Sequence, residues 1–179
     1  MGVLKTITDE YFGDSIREED KIDISGLDVE IVSFKDNNGN FHGHGYKVKR
    51  RSVLQSLIKR IIEKRGNECD LNDIDVSEMD DFGDIFYYSH FNGDISGWDV
   101  SNVKYMHDMF EGSDFNGDLS KWNVLNVESM VYMFKNSKFD SRNGDISNWK
   151  VNKDCKTTGM FNGTSLCYNP PKWKKNSFN

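Results

Sequence analysis

Between Phe91 and Lys138 the apolar positions follow one template twice. Ile95, Trp98, Val100, Val103, Met106, Met109 and Phe110 return 24 residues later as Leu119, Trp122, Val124, Val127, Met130, Met133 and Phe134. Polar positions return with them: Gly93, Asp94, Ser96 and Asn102 match Gly117, Asp118, Ser120 and Asn126. A third copy carries Gly144, Asp145, Ser147, Trp149, Val151, Met160 and Phe161, displaced to an offset of 27 by an insertion after Phe139. A degenerate first copy runs through Leu71, Ile74, Val76, Met79, Phe82, Ile85 and Phe86. A fixed period in this range marks units that cannot cover their own apolar face and must stack on a neighbour.

Within a unit, Val103, Met106, Met109 and Phe110 stand at i, i+3, i+6 and i+7, the spacing of one side of a two-turn helix that Ser101 or Asn102 can cap. The preceding "GDISGWDV" is too short for a helix and alternates as a brief strand does. The pattern therefore predicts an α/β solenoid of about three and a half strand-turn-helix repeats. Trp98, Trp122 and Trp149 would form one column and Asp94, Asp118 and Asp145 another, these aspartates accepting backbone N–H bonds at turns.

Ahead of the repeats the pattern changes. Alternation in "LDVEIVSF" and "FHGHGYKV" predicts a β-hairpin from Leu27 to Val48, turning at "KDNNGN". "RRSVLQSLIKRIIEKRG" predicts a helix with Val53, Leu54, Leu57, Ile58, Ile61 and Ile62 on one face and Gly66 as its stop. A hairpin plus helix can cap the open end of a repeat array. The chain divides into a capping unit over 1–66, repeats over 67–166 and a tail over 167–179, in which Trp173 covers the last core layer.

Charge adds a second contrast. The net charge of −6 and pI near 5.2 argue against direct nucleic-acid binding, which needs a surplus of Lys and Arg. Locally the chain is polarised: a basic stretch from Lys47 to Arg65 is followed by an acidic one from Glu68 to Asp84. These stretches can lie side by side and neutralise. Alternatively the basic helix grips an acidic partner, or the acidic stretch imitates nucleic-acid phosphate. No signal peptide or long apolar span stands in the sequence, so a cytoplasmic location without membrane contact is expected. Cys69, Cys155 and Cys167 are odd in number and form no metal or disulfide pattern.

Candidate chemistry is thin. His42 and His44 share a strand face without a third ligand, and "DFNGDLS" and "DNNGN" lack the Gly and Glu of a calcium loop. No catalytic motif occurs, so neither an enzyme, a metal nor a cofactor is expected. In a repeat array, exposed positions that vary between copies are the natural contact residues. These are Lys104, Tyr105, His107, Asp108 and Glu111 in one copy and Glu128, Tyr132 and Lys135 in the next, with Tyr105 and Tyr132 read as equivalent anchors.

The motif "FNGDISGWDVSNVKYMHDMF" resembles the repeat of BspA-like leucine-rich-repeat surface proteins, over roughly Asn67 to Leu166. That resemblance implies a leucine-rich-repeat-type solenoid used for adhesion and protein binding without catalysis, on secreted or surface-anchored proteins. The expected function is a non-enzymatic protein-binding module with a protein partner. Two alternatives are a small acidic inhibitor, encoded by a virus or mobile element, that blocks a host nuclease or defence complex, and a surface adhesin or virion component. For the inhibitor the partner would be a nucleic-acid-binding protein.

Overall fold

The structure, a computed structural model, describes residues 22–35 and 41–175. The hairpin forms from β1 (Glu30–Lys35) and β2 (Phe41–Lys47), paired antiparallel. It is followed by α1 (Arg51–Arg65), which buries Val53, Leu54, Leu57, Ile58 and Ile61. α1 stops at Gly66, which takes φ 85° while its N–H donates to the Ile62 carbonyl, a conformation that costs a residue without Cβ little. β2 then pairs in parallel with β3 (Ile74–Asp75), which belongs to the first repeat. The hairpin thus joins the array through the end of β2, where Tyr46 and Lys47 pair with Ile74 and Asp75, and one core cluster includes residues from Ile22 to Phe161.

The expected strand-turn-helix solenoid does not form. Among the described residues the α-helices are α1 and the four-residue α2 (Lys172–Lys175), and the sheet has three strands. The repeats between them are built from turns. The reason lies in the backbone. Asp84, Asp108, Tyr132 and Gly159 occupy one recurring position with φ between 55° and 61°, and Tyr88, Gly112, Asn136 and Gly163 occupy another, four residues on, with φ between 49° and 75°. Two left-handed residues four apart in each repeat terminate a right-handed helix at each occurrence.

The backbone hydrogen bonds show what replaces the helix. Glu111 and Ser113 donate back three residues to the Asp108 and Phe110 carbonyls, closing tight turns at 3.0 and 3.1 Å. The alternate residues Met106, Asp108, Phe110 and Gly112 donate to Ser129, Val131, Met133 and Lys135 of the next repeat at 2.8–3.0 Å. The same four-bond comb joins Phe82, Asp84, Phe86 and Tyr88 to the second repeat, and Met130, Tyr132, Phe134 and Asn136 to the last. One set of N–H groups holds the turns, and the alternate set holds the stack. Strand pairing in the repeats is reduced to single parallel bridges, Asp81 to Tyr105 to Ser129 to Lys156, and Asp70 to Asp94. "GDISGWDV" is accordingly a turn segment too, in which Asp94, Asp118 and Asp145 accept the N–H of Ser96, Ser120 and Ser147, each at 2.8 Å, as aspartates at turns do.

Side chains repeat the same logic. Phe86, Phe110, Phe134 and Phe161 stack face to face along the array, with centroids 5.5, 5.5 and 5.8 Å apart. Phe91, Phe115 and Phe139 lie against them at 4.7, 4.5 and 4.2 Å. Each buried indole donates to a carbonyl of the preceding repeat: Trp98 to Leu71, Trp122 to Ile95 and Trp149 to Leu119, at 2.9–3.2 Å. Trp173 extends the series by donating to Ile146 at 2.8 Å and packing on Trp149 and Phe161. Asn102, expected as a possible helix cap, and its counterpart Asn126 instead donate to Ser77 and Ser101 of the preceding repeat.

The polarised charge stretches lie side by side. Lys47 and Lys49 reach Glu78 at 2.7 and 2.8 Å, Arg51 reaches Asp81 at 3.2 Å, and Arg65 reaches Asp73 at 2.9 Å. Hydrogen bonds from the Lys47 and Lys49 ammonium groups hold the Glu78 carboxyl down to about 2. Asp73 goes the other way: burial pushes its carboxyl up despite Arg65, and its Oδ1 is buried without a hydrogen bond.

Three outcomes follow from this architecture. Phe110→Ala, in the middle of the aromatic column, should cost about 3–5 kcal/mol in denaturant unfolding, whereas Leu125→Ala, at a half-exposed turn, should leave the midpoint nearly unchanged. Gly93→Ala should destabilise strongly, because its Cβ would sit 1.9 Å from the Cys69 carbonyl oxygen in the neighbouring repeat. Because the Glu78 value is depressed on folding, its stabilisation is present above its ordinary 4.5 and is lost as pH falls toward about 2. Unfolding midpoints of the native chain and Glu78→Gln should therefore differ near neutral pH and converge near pH 2.

Candidate functional site

The left-handed positions lie at the surface, and tyrosine takes two of them. Tyr88 and Tyr132 adopt φ 49° and 56°, where the other repeats have Asp, Asn or Gly. A bulky residue there costs on the order of 1–2 kcal/mol relative to glycine. Each ring lies over a glycine of the next repeat: a Cβ on Gly112 would meet the Tyr88 ring at 2.7 Å, and one on Gly159 would meet the Tyr132 ring at 2.3 Å. Gly112 and Gly159 thus supply both the left-handed backbone and the clearance for the ring. Tyr88 is 58% exposed and Tyr132 36%. Tyr87, 50% exposed, packs edge-on against Tyr88 with centroids 4.7 Å apart.

Charged groups fill the space between these rings. Lys135 donates to Glu111 at 2.8 Å and holds its ammonium 4.7 Å from the Tyr132 ring centroid, within reach of a cation–π contact. The bond to Glu111 raises the Lys135 value. Burial raises the Asp108 carboxyl, and a hydrogen bond and charge from Glu111 add to it. Burial raises the Tyr87 phenol, again with Glu111 and Asp108 contributing. The result is an aromatic face whose polar groups are partly desolvated and arranged around one ion pair.

Of the residues singled out in the sequence, the structure brings Asp108, Glu111, Tyr132 and Lys135 together here. Glu111 was expected to be exposed but is only 6% so, because its carboxylate turns inward to Lys135. His107 sits at the border, its ring over Gly83 beside the Arg51 guanidinium. Lys104, Tyr105 and Glu128 are exposed on or beside the adjoining bridge column. Tyr105 and Tyr132 are not equivalent. Tyr105 pairs with Ser129, and Tyr132 aligns with Asp108, three residues further along the template. Tyr87 and Tyr88 were missed because they belong to the degenerate first copy. Their signal was two adjacent tyrosines at positions held by Glu111 and Gly112 one repeat later.

Other candidates recede. Cys155 packs against the core, and burial pushes its thiol up to about 11, which leaves little thiolate at neutral pH. Asp114 and Asp118, from the loop resembling a calcium site, are engaged by Lys138 with His90 and by the Ser120 N–H respectively. Among the described residues no group of three or more His, Cys, Asp and Glu could hold a metal ion. The side chains of His42 and His44 and the loop "DNNGN" lie outside the described residues. No helix among the described residues is long and apolar enough to cross a membrane.

No curated protein and no solved structure matches the chain. One family profile does, described as a Mycoplasma protein of unknown function, DUF285, over residues 55–173. The matched span runs from Gln55, in the first half of α1, through every repeat to Trp173, the last indole of the series. Since the profile covers well over half of the 179 residues, the chain belongs to the DUF285 family.

Proposed function

We propose that the chain is a non-enzymatic protein-binding module whose contact surface is the tyrosine face formed by Tyr87, Tyr88 and Tyr132 with Asp108, Glu111 and Lys135. The observation that carries this reading is the placement of Tyr88 and Tyr132 on left-handed backbone. Glycine or asparagine would serve the fold there at lower cost, and the chain spends both backbone strain and aromatic exposure on the same two residues. Exposed tyrosines held rigid by packing on a neighbouring backbone lose little entropy on binding and are common anchors of protein interfaces. The Glu111–Lys135 pair fixes the polar centre of the face. The resemblance of the repeats to those of BspA-like proteins, used for adhesion and protein binding, supports the same class of function.

The double variant Tyr88→Asn/Tyr132→Asn tests it. Asparagine tolerates the left-handed region, so the unfolding midpoint should stay within about 1 kcal/mol of the native value. A protein captured by the native chain from native lysate and verified with purified components should bind the variant at least about tenfold more weakly. Unchanged affinity in a folded variant would dismiss the tyrosine face.

A further inference from the structure

In the turn stretches, the comb of hydrogen bonds between repeats runs one way: N–H groups of one repeat donate to carbonyls of the next. Tyr132, Phe134 and Asn136 donate to Thr158, Met160 and Asn162. Their counterparts in the last repeat, 27 residues on, are Gly159, Phe161 and Gly163. Among the described residues no carbonyl accepts from these three N–H groups. The opposite end is closed differently, with α1 laid along it, Gln55 donating to the Asp84 carbonyl and Arg51 paired with Asp81. The last repeat therefore presents donors at Gly163, which is exposed, and at Gly159, which is half-buried, while Phe161 between them is buried with Trp173 packed against its ring.

The charge of this end is equally one-sided. Lys150, Lys153, Lys156 and Lys172 are exposed on the last repeat and the segment that follows it, against two acids there, Asp154 and Asp145, the latter held low by the Ser147 N–H and, to a lesser degree, by the Lys172 charge, in a chain of net charge −6. No ion pair holds these four lysines among the described residues.

We propose that this end is a docking edge for an acidic polypeptide segment, which adds as one further rung. Its carbonyls would take the positions that Thr158, Met160 and Asn162 take for the rung before, and its carboxylates would meet the lysines. The favoured occupant is a polypeptide because main-chain carbonyls recur at the spacing of the donors, as the three rungs already formed demonstrate. Lysine charge alone would accept any polyanion, whereas the donor comb selects among them. This edge borders the tyrosine face at Gly159, over which the Tyr132 ring lies, but its donors and lysines are not part of that face.

The test uses the full chain, labelled with ¹⁵N, and a short peptide alternating Glu and Val. Binding should shift the Gly159 and Gly163 amide resonances. The triple variant Lys153→Glu/Lys156→Glu/Lys172→Glu, altered only at exposed positions, should keep its fold and lose at least about tenfold in affinity. The Tyr88→Asn variant, whose ring lies over Gly112 one repeat away from this edge, should bind the peptide as the native chain does. The proposal is overturned if the glycine amides do not move, or if the triple variant binds unchanged. It is equally overturned if a thymidine oligonucleotide or anionic vesicles bind as tightly and move the same amides.

Discussion

The rest of the molecule depends on how each repeat divides its backbone N–H groups. In an α-helix all of them point along the chain and leave nothing for a neighbour. Here two left-handed residues four apart in each repeat break the helical run, so each turn is closed by one set while a second set reaches the next repeat. The period of 24 residues, the aromatic columns and the indole series are consequences: each side chain must fall directly over its counterpart, because the backbone beneath it does. Burying polar backbone in such an array is permissible only because both sets of N–H groups find acceptors.

Much of this was legible in the sequence. The period announced stacking, the recurring Phe, Met and Trp positions named the core, and the aspartates were read correctly as turn acceptors. Hairpin and α1 followed from alternation and from the apolar face ending at Gly66. What failed was the step from i, i+3, i+6 and i+7 to a helix. Consecutive turns of three residues place side chains on one face with nearly the same spacing, so Val103, Met106, Met109 and Phe110 fit both. The distinguishing mark was present in Asp84 and Asp108, Gly112 and Asn136, Gly159 and Gly163, residues that favour positive φ and recur four apart. Tyr88 and Tyr132 interrupt that series, and their interruption both concealed the backbone and marks the candidate site.

The same interruption explains why the site was half seen. Asp108, Glu111, Tyr132 and Lys135 were found because they vary between well-matched copies. Tyr87 and Tyr88 sit in a copy too degenerate for variation to be measured, and Glu111 looked exposed because nothing in the sequence pairs it with a lysine 24 residues away. Partners one period apart are adjacent in space, a rule usable only once stacking is in register.

Because these comb bonds point from repeat to repeat, they also define how the protein meets mechanical load. Tension applied along the axis of the array acts on the rungs in series, so every interface carries the whole force and the weakest yields first. Pulling across the axis would instead set the bonds of one comb against the load together. A chain tethered at its two ends would thus lengthen stepwise, surrendering one repeat at a time while the remaining rungs keep their aromatic columns intact.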